Sequence, residues 1–296
     1  IGGPLIDCLL YRLTDKIESI VESKEKKKDA NSPIISGMTE DMKKFFKKNN
    51  QILSHFSLLG MPFSFSYNSN VEYIYAHAVT QTVIYSAKDT NDYFVKTIHE
   101  FANLRIPEES EIHNFIIKWM KEFNIGTEYE IKSVGGEAHI VKIYAEDSSC
   151  VNLADKGIGS IQLMILLFRL ATKMSERRDY GNFRFRNITV IVEEPEQNLH
   201  PMLQSKLADL FYELNSEYGF NFLIETHSEY LIRKTQLIVN TKFNSEEKLS
   251  KNPFKVYYFP SKGNPYAMEY RPDGKFSNKF GSGFFDEASK LAFKLF

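Results

Sequence analysis

The spacing of hydrophobic positions predicts a strand, a helix and a second strand in the later part of the chain. Residues 188–192 and 221–224 are short β-favouring runs without polar alternation, as in strands buried in a parallel sheet. Between them, apolar residues recur at helical spacing from Leu203 to Leu214. A helix that joins two parallel strands forms a right-handed crossover, so both strands should end at the same edge of the sheet.

The same patterns predict further elements outside this unit. Residues 71–85 are β-branched and aromatic, although their alternation is too weak to assign a face. Pro107-Glu108-Glu109 should open a helix whose apolar positions recur from Ile112 to Phe123. Two hairpins are predicted, one around Gly135-Gly136 and one at residues 254–270, and a last helix near the end of the chain.

The first fifty residues combine an apolar helical pattern from Leu9 to Val21 with a loop at residues 29–36 and two lysine clusters. The clusters are Lys24, Lys26, Lys27 and Lys28, and Lys43, Lys44, Lys47 and Lys48. Two interpretations remain open: a surface that faces phosphate groups, or solvated helical faces, since acidic residues are interspersed.

Composition narrows the class of protein. The 296 residues carry 37 Lys+Arg and 38 Asp+Glu, a formal net charge of −1, which argues against coating nucleic acid through charge alone. Hydrophobic residues at 43% and charged residues at 25% exclude a wholly disordered chain. Cys8 and Cys150 are too few for a disulfide framework, so we expect a cytoplasmic protein. The longest apolar run, Ile161 to Ala171, is about half the length that spans a bilayer, so we expect no membrane.

Two carboxylates follow the first predicted strand. Glu193 and Glu194 stand at its C-terminal end, and Pro195 prevents the strand from continuing. Open α/β sheets bind ligands at the carboxyl ends of their strands, so both acids are candidate site residues. Taken alone, they are equally compatible with solvated acids after a strand.

A histidine follows the second predicted strand. His227 stands just before Ser228, which is placed to cap the next helix. A single histidine after a strand is more often a loop residue than a catalytic one. Because parallel strands end at one edge, however, we expect His227 to lie near Glu194, and this pairing favours a catalytic role.

A glycine-containing segment, Asp155 to Gln162, precedes a strongly apolar helix predicted from about Ile161 to Met174. Glycine lets the backbone approach a ligand closely, and N–H groups at the start of a helix attract phosphate. Many helices begin after a glycine loop, so this motif is weak by itself.

Taken in order, these motifs resemble the C-terminal part of an ABC-type ATPase head. They are most similar to those of the overcoming-lysogenization-defect-like and Septu-like bacterial ATPases, relatives of the SMC and RecF heads. Residues 155–162 resemble the signature motif, and residues 190–195 resemble Walker B. Residues 196–201 are similar to the P-E-x-x-L-H-P run that follows Walker B, and residues 224–228 resemble the switch-histidine segment. The resemblance covers residues 150–240.

This resemblance implies an α/β fold: a parallel-sheet ABC-type ATPase lobe at residues 126–296, with a helical arm at residues 1–125 and a small β-hairpin region. It also implies a mechanism that uses ATP and Mg²⁺. Glu193 would hold Mg²⁺ where the family usually has Asp, Glu194 would orient or deprotonate the attacking water, and His227 would contact the γ-phosphate or the water.

The resemblance further implies a homodimer that closes around two ATP molecules. Signature-motif residues would reach the nucleotide of the second head, and two more residues would lie in the D-loop that crosses the interface. These residues are Asp155, Gly157, Gly159, Ser160 and Gln162 in the signature motif, and Asn198 and His200 in the D-loop. Ile161 stands where the family usually has Ser. The implied biological role is to power a DNA-directed or anti-phage defence complex, with a nuclease or other effector subunit as partner.

The phosphate-binding loop G-x-x-x-x-G-K-[ST] is absent from the 296 residues. Since this loop precedes the signature motif in the family, we expect a fragment that lacks its N-terminal lobe and is inactive as an ATPase by itself. A natural ATPase-dead paralogue is the alternative.

Two other functions compete with the ATPase hypothesis. The first is a nucleic-acid-binding or assembly module that uses the lysine clusters. The second is a metal-dependent hydrolase or nuclease that uses four residues close in sequence: Glu193, Glu194, Glu196 and His200.

Overall fold

The computed structural model describes residues 70–74, 82–86, 92–179, 188–260 and 262–295. The N-terminal helical pattern, its loop and both lysine clusters lie outside these residues. The described residues form two compact units that interleave along the chain. The first comprises the described residues among 70–73, 189–195 and 221–295, and the second those among 74–188 and 196–220. The predicted division at residue 125 stays a prediction.

The described strands and helices are numbered in chain order. The strands are β1 (Asn70–Ile74), β2 (Tyr85–Ser86), β3 (Glu128–Val134), β4 (Ala138–Tyr144), β5 (Cys150–Asn152), β6 (Ile188–Glu193), β7 (Phe220–Glu225), β8 (Val256–Tyr258) and β9 (Tyr266–Met268). The helices are α1 (Tyr93–Asn103), α2 (Glu111–Glu122), α3 (Ile158–Asp179), α4 (Pro201–Tyr218), α5 (Glu229–Lys242), α6 (Glu246–Leu249) and α7 (Glu287–Phe293).

The first unit contains a parallel sheet in the order β1-β6-β7. Val190, Ile191 and Val192 are all buried, which confirms that the uninterrupted apolar run of β6 is covered on both faces. In β7, Asn221 is exposed, so the prediction of a uniformly buried second strand is wrong there. The difference fits the sheet order, in which β6 lies between two strands and β7 has one described neighbour.

Two contacts hold helix α5 in the same unit, and we call them the α5 brace: Thr235 with Tyr270, and Gln236 with Gly274. The Thr235 Oγ1 and Tyr270 hydroxyl oxygens are 2.6 Å apart, and burial raises the pKa of the Tyr270 phenol well above its usual range. The turn at Gly274 (φ +74°) lies against the same helix, so closely that an added Cβ would be 2.1 Å from the Gln236 carbonyl oxygen. Only glycine therefore fits this turn. The predicted C-terminal hairpin is confirmed as the antiparallel pair β8–β9, and α7 confirms the last helix.

The second unit contains an antiparallel sheet in the order β2-β4-β3, with β5 also paired to β4. The predicted hairpin around Gly135-Gly136 is confirmed, with Val134 paired to Ala138 beside the turn. Helices α1 and α2 both contact α3, and the Phe101 and Phe168 rings stack with centroids 4.4 Å apart. Glu213 of α4 accepts hydrogen bonds from Lys118 and Trp119 of α2.

The start of α2 corrects the sequence-based prediction. Pro107-Glu108-Glu109 do not open the helix, since Glu109 has φ +60° and the helix begins at Glu111. The Ser110 hydroxyl accepts the His113 N–H and caps the helix three residues after Pro107, the predicted start. The predicted apolar face is confirmed, and Ile112, Phe115, Ile116, Trp119 and Phe123 are buried.

A contact between two histidines joins α1 to β4. His99 Nδ1 and His139 Nε2 are 3.2 Å apart, and His139 is buried. Burial, together with the neighbouring His99, lowers the pKa of His139. His139 is therefore held in the uncharged form more strongly than a histidine in water.

Helix α3 contains a long apolar stretch. Its stretch Ile158–Glu176 is long and apolar enough to cross a membrane by length and composition, but 72% of an 18-residue part of it is buried inside the protein. Burial of that extent is typical of a core helix, which can have the same length and composition as a membrane span.

Candidate active site

A carboxylate and an imidazole meet at the carboxyl ends of β6 and β7. Glu194 Oε1 and His227 Nε2 are 3.3 Å apart, and the two side chains are 30% and 35% exposed. The Glu194 backbone is in the left-handed region, with φ +41°, and its N–H donates to the Glu225 carbonyl oxygen at 2.9 Å. The predicted proximity of Glu194 and His227 is therefore found in the structure, with both groups accessible to a ligand.

The turn after β7 presents His227 to solvent between two buried neighbours. Thr226 and Ser228 are both buried, and the Thr226 Oγ1 accepts the Ser228 N–H at 3.0 Å. The Ser228 Oγ then accepts the Leu231 N–H at 3.1 Å, which confirms the predicted cap of α5. These bonds fix the backbone around His227 while leaving its ring exposed.

Glu225 is a third member of this site that the sequence-based prediction missed. One ligand atom each from Glu194, Glu225 and His227 lie within 4.8 Å of one another. The signal was present, since Glu225 ends β7 two residues before His227, but the motif assigned it no role. Two carboxylates and one imidazole are a donor set that can hold a divalent cation.

Glu193 ends β6 and is half-buried. Among the described residues, the group with metal-binding spacing comprises Glu194, Glu225 and His227 and does not include Glu193, Glu196 or His200. The four-residue hydrolase site considered from the sequence is therefore not the group that the fold assembles. A carboxylate at a strand end still fits Mg²⁺, which takes hard oxygen ligands, so the Mg²⁺ role of Glu193 stays a prediction.

The signature-like segment lies in the second unit, and its glycine serves close packing. The prediction that α3 begins near Ile161 is wrong: it begins at Ile158, because the Gly157 carbonyl already accepts the N–H groups of Ser160 and Ile161. Gly159 therefore belongs to the first turn, and a Cβ there would lie 2.5 Å from the Asn198 carbonyl oxygen.

Asn198 and Gln162 complete this contact, which we call the glycine junction (Gly159, Gln162 and Asn198). The Asn198 amide donates to Gln162 Oε1 at 3.0 Å, and Asn198 has φ +57°. The junction brings together the start of α3 and the loop after β6, which the sequence had linked only through the resemblance. Ser160 is half-buried beside it.

The remaining predicted residues have local structural partners. Asp155 ends a short 3₁₀ turn and accepts from the Asn152 amide at 3.1 Å, whereas Gly157 is exposed with no atom near the position of a Cβ. His200 caps α4, because its Nδ1 accepts the Met202 N–H at 3.3 Å. Nucleotide contacts by any of these residues stay predictions.

A family model for an AAA ATPase domain matches residues 72–232, more than half of the chain. The protein therefore belongs to the AAA ATPase domain family. No curated protein matches the chain. Membership confirms the coarse prediction of a nucleotide-binding ATPase and implies the use of a nucleotide and usually Mg²⁺. The finer assignment to the overcoming-lysogenization-defect-like and Septu-like group stays a prediction.

Proposed function

We propose that this chain is part of an ABC-type ATPase head in which Glu194 and His227 act at the γ-phosphate of ATP. The observation that carries the proposal is the 3.3 Å contact between their side chains at the ends of two neighbouring parallel strands. Ligands of open α/β sheets bind at this edge, and both side chains are partly exposed there.

Glu194 and His227 have different roles in the proposed hydrolysis. Glu194 orients the attacking water and accepts its proton, since a carboxylate at the reacting edge is a suitable general base. His227 is within hydrogen-bond reach of that carboxylate, so its ring links the position of Glu194 to the presence of a phosphate oxygen. Glu193 would hold Mg²⁺, which supplies charge neutralisation on the phosphates when it is bound.

The glycine junction supports a second part of the proposal, a homodimer that closes around ATP. Asp155, Gly157, Gly159, Ser160 and Gln162 with Asn198 and His200 would form a face that contacts the nucleotide of the second copy. The packing of Gly159 on Asn198 makes these two segments neighbours within one unit. Ile158 and Met202 are large apolar side chains exposed at the starts of α3 and α4, as a dimer contact would require.

The biological setting is proposed from the resemblance alone: a DNA-directed or anti-phage defence complex with a nuclease or other effector subunit. The alternative of a nucleic-acid-binding module depends on the lysine clusters, which lie outside the described residues. Salt-sensitive DNA binding without ATP hydrolysis would favour that alternative.

The test is the Glu194→Gln substitution, with Glu229→Gln as matched control. Glu229 is a glutamate that directly follows the switch segment, but it pairs with Arg233 on the first turns of α5. ATP hydrolysis and nucleotide-dependent dimerisation are measured on this chain and on the longest natural form of the protein, including any residues before Ile1. We expect Glu194→Gln to reduce hydrolysis at least about 100-fold and to accumulate an ATP-bound dimer, since a general base contributes about 10²–10⁴-fold. Unchanged turnover in Glu194→Gln would remove Glu194 from the catalytic role.

A further inference from the structure

We infer that Glu194, Glu225 and His227 form a binding site for a borderline divalent cation, Zn²⁺ in particular, that is distinct from the Mg²⁺ of the nucleotide. One ligand atom from each side chain lies within 4.8 Å of the other two. Within the part of the chain that the structure describes, these three are the His, Cys, Asp or Glu side chains that come together with metal-binding spacing.

The distances agree with a shared ion. Two ligands that each lie about 2.0–2.2 Å from a tetrahedral Zn²⁺ are separated by about 3.3–3.6 Å. The Glu194 Oε1 to His227 Nε2 distance is 3.3 Å, so these two atoms could ligate one ion with little movement. Glu225 is half-buried at the last position of β7, and its ligand atom lies within 4.8 Å of the other two, so it would approach a shared ion through a change in its side-chain torsions.

The donor set selects the kind of ion. Imidazole suits Zn²⁺ and other first-row transition metals, whereas Mg²⁺ takes oxygen ligands and retains several waters. Two carboxylates balance the charge of a divalent cation, and three protein ligands leave one position of a tetrahedral ion open to water or substrate. A site made of oxygen ligands alone would not favour Zn²⁺ over Mg²⁺. The imidazole of His227 is therefore the ligand that makes Zn²⁺ the preferred ion.

The backbone holds the three ligands in place before any ion binds. The Glu194 N–H bonds to the Glu225 carbonyl oxygen, which fixes the two strand ends against each other. The buried Thr226 and Ser228, which flank His227 in sequence, hold the turn that carries it. Little conformational freedom of the backbone remains to be lost when the ion binds.

Occupancy has a consequence that rests on the proposed function. An ion held here engages the Glu194 carboxylate and the His227 ring, the two groups that the proposed hydrolysis requires. Zn²⁺ should therefore inhibit ATP hydrolysis even when Mg²⁺ is in large excess, and a chelator selective for Zn²⁺ should restore it. Binding itself needs neither nucleotide nor hydrolysis.

The test is a titration of the metal-free chain with Co²⁺, followed by Zn²⁺ displacement, without nucleotide. Visible absorption reports the Co²⁺ coordination, and calorimetry reports the Zn²⁺ stoichiometry. The background carries both Cys8→Ser and Cys150→Ser, because thiols bind the same ions and Cys150 is exposed and free. We expect one ion per chain, with at least tenfold weaker binding in both Glu225→Gln and His227→Gln.

Glu229→Gln is the matched control and should bind Zn²⁺ as the parent does. Circular dichroism and thermal unfolding of each variant show whether it is folded, and the two ligand variants alter different residues, so misfolding of one leaves the other informative. Equal Zn²⁺ affinity in the parent and in a folded ligand variant would overturn the site. Because no ATP is present, the site can fail while Glu194 remains essential for hydrolysis, and the reverse outcome is equally distinguishable.

Discussion

The ends of β6 and β7 and the glycine junction both come from motif-like sequences, yet they use their residues in different ways. At the strand ends, charged side chains are partly exposed and approach one another through their functional groups, as in the 3.3 Å contact of Glu194 with His227. At the junction, Gly159 contributes the absence of a side chain, which lets the Asn198 backbone come close. A motif residue can therefore be required for its chemistry or for the space that it leaves.

This difference predicts opposite phenotypes. Substitutions at the strand ends should reduce activity while leaving stability unchanged, because exposed side chains contribute little to folding. Substitutions at the junction should lower the free energy of unfolding before they affect any chemistry. Each experiment below could separate the two regions more sharply or show that the distinction is false.

The largest expected effect is on hydrolysis in His227→Gln. In the longest natural form of the protein, we expect a loss of about 100-fold in the ATP hydrolysis rate, the lower end of a proton-transfer or orienting contribution, with an unchanged midpoint of thermal unfolding. The control is His113→Gln, because His113 also contacts a glutamate, with its Nε2 3.5 Å from Glu128 Oε2, but stands on α2 in the second unit. Equal losses of hydrolysis in both variants would contradict the assignment.

The next effect is on stability in Gly159→Ala. The new Cβ would lie 2.5 Å from the Asn198 carbonyl oxygen and 2.9 Å from Leu199 Cδ2, so the junction must open. Overpacking of this kind costs about 1–3 kcal/mol in the free energy of unfolding, measured by urea denaturation. Gly157→Ala is the matched control: no atom lies within 4 Å of its Cβ position, so no loss is expected. Similar losses in both variants would mean that helix start, rather than close packing, determines the effect.

A smaller effect is the coupling between Asn198 and Gln162. Their hydrogen bond is 3.0 Å long but exposed, so a double-mutant cycle of Asn198→Ala and Gln162→Ala should give a coupling energy below about 1 kcal/mol. A larger coupling measured by urea denaturation would indicate that side-chain chemistry, and not only the glycine, holds the junction together.

The smallest expected effect is on the pH dependence of stability, and it concerns the buried His139. Because burial and His99 lower the pKa of His139 below its usual value of 6.5, the unfolded chain binds protons more readily as the pH falls below that value. Stability is therefore lost on acidification, and His139→Gln should show a smaller difference in the free energy of unfolding between pH 7.5 and 5.5. An unchanged difference would show that His139 does not cause this dependence.

Much of the fold follows from the sequence because hydrophobic periodicity reports burial directly. The uninterrupted run of β6, the apolar face of α2 and the Gly135-Gly136 hairpin were all predicted and are all confirmed. Helix starts were less predictable, since a local cap determines them. Because Ser110 caps α2, this helix starts later than Pro107 suggested. Because the Gly157 carbonyl accepts the first N–H groups of α3, that helix starts earlier than the apolar pattern predicted.

The candidate site was predictable where it depends on topology and was missed where it depends on side-chain packing. Parallel strands end at one edge, so the proximity of Glu194 and His227 could be inferred before the structure was known. Glu225 could not be ranked above the other acids, because its place in the group depends on the left-handed backbone of Glu194 and its bond to the Glu225 carbonyl. The glycine junction likewise depends on contacts between distant segments that no local pattern encodes.

The α5 brace sets a practical limit on how the protein can be shortened. The family match stops at residue 232, close to the start of α5, whereas Thr235 and Gln236 of that helix meet Tyr270 and Gly274. In a version produced only to residue 232, His227 would be followed by only the first residues of α5, without these contacts. Expression and assay of the ATPase domain should therefore retain the chain at least through residue 276, some forty residues beyond the family boundary.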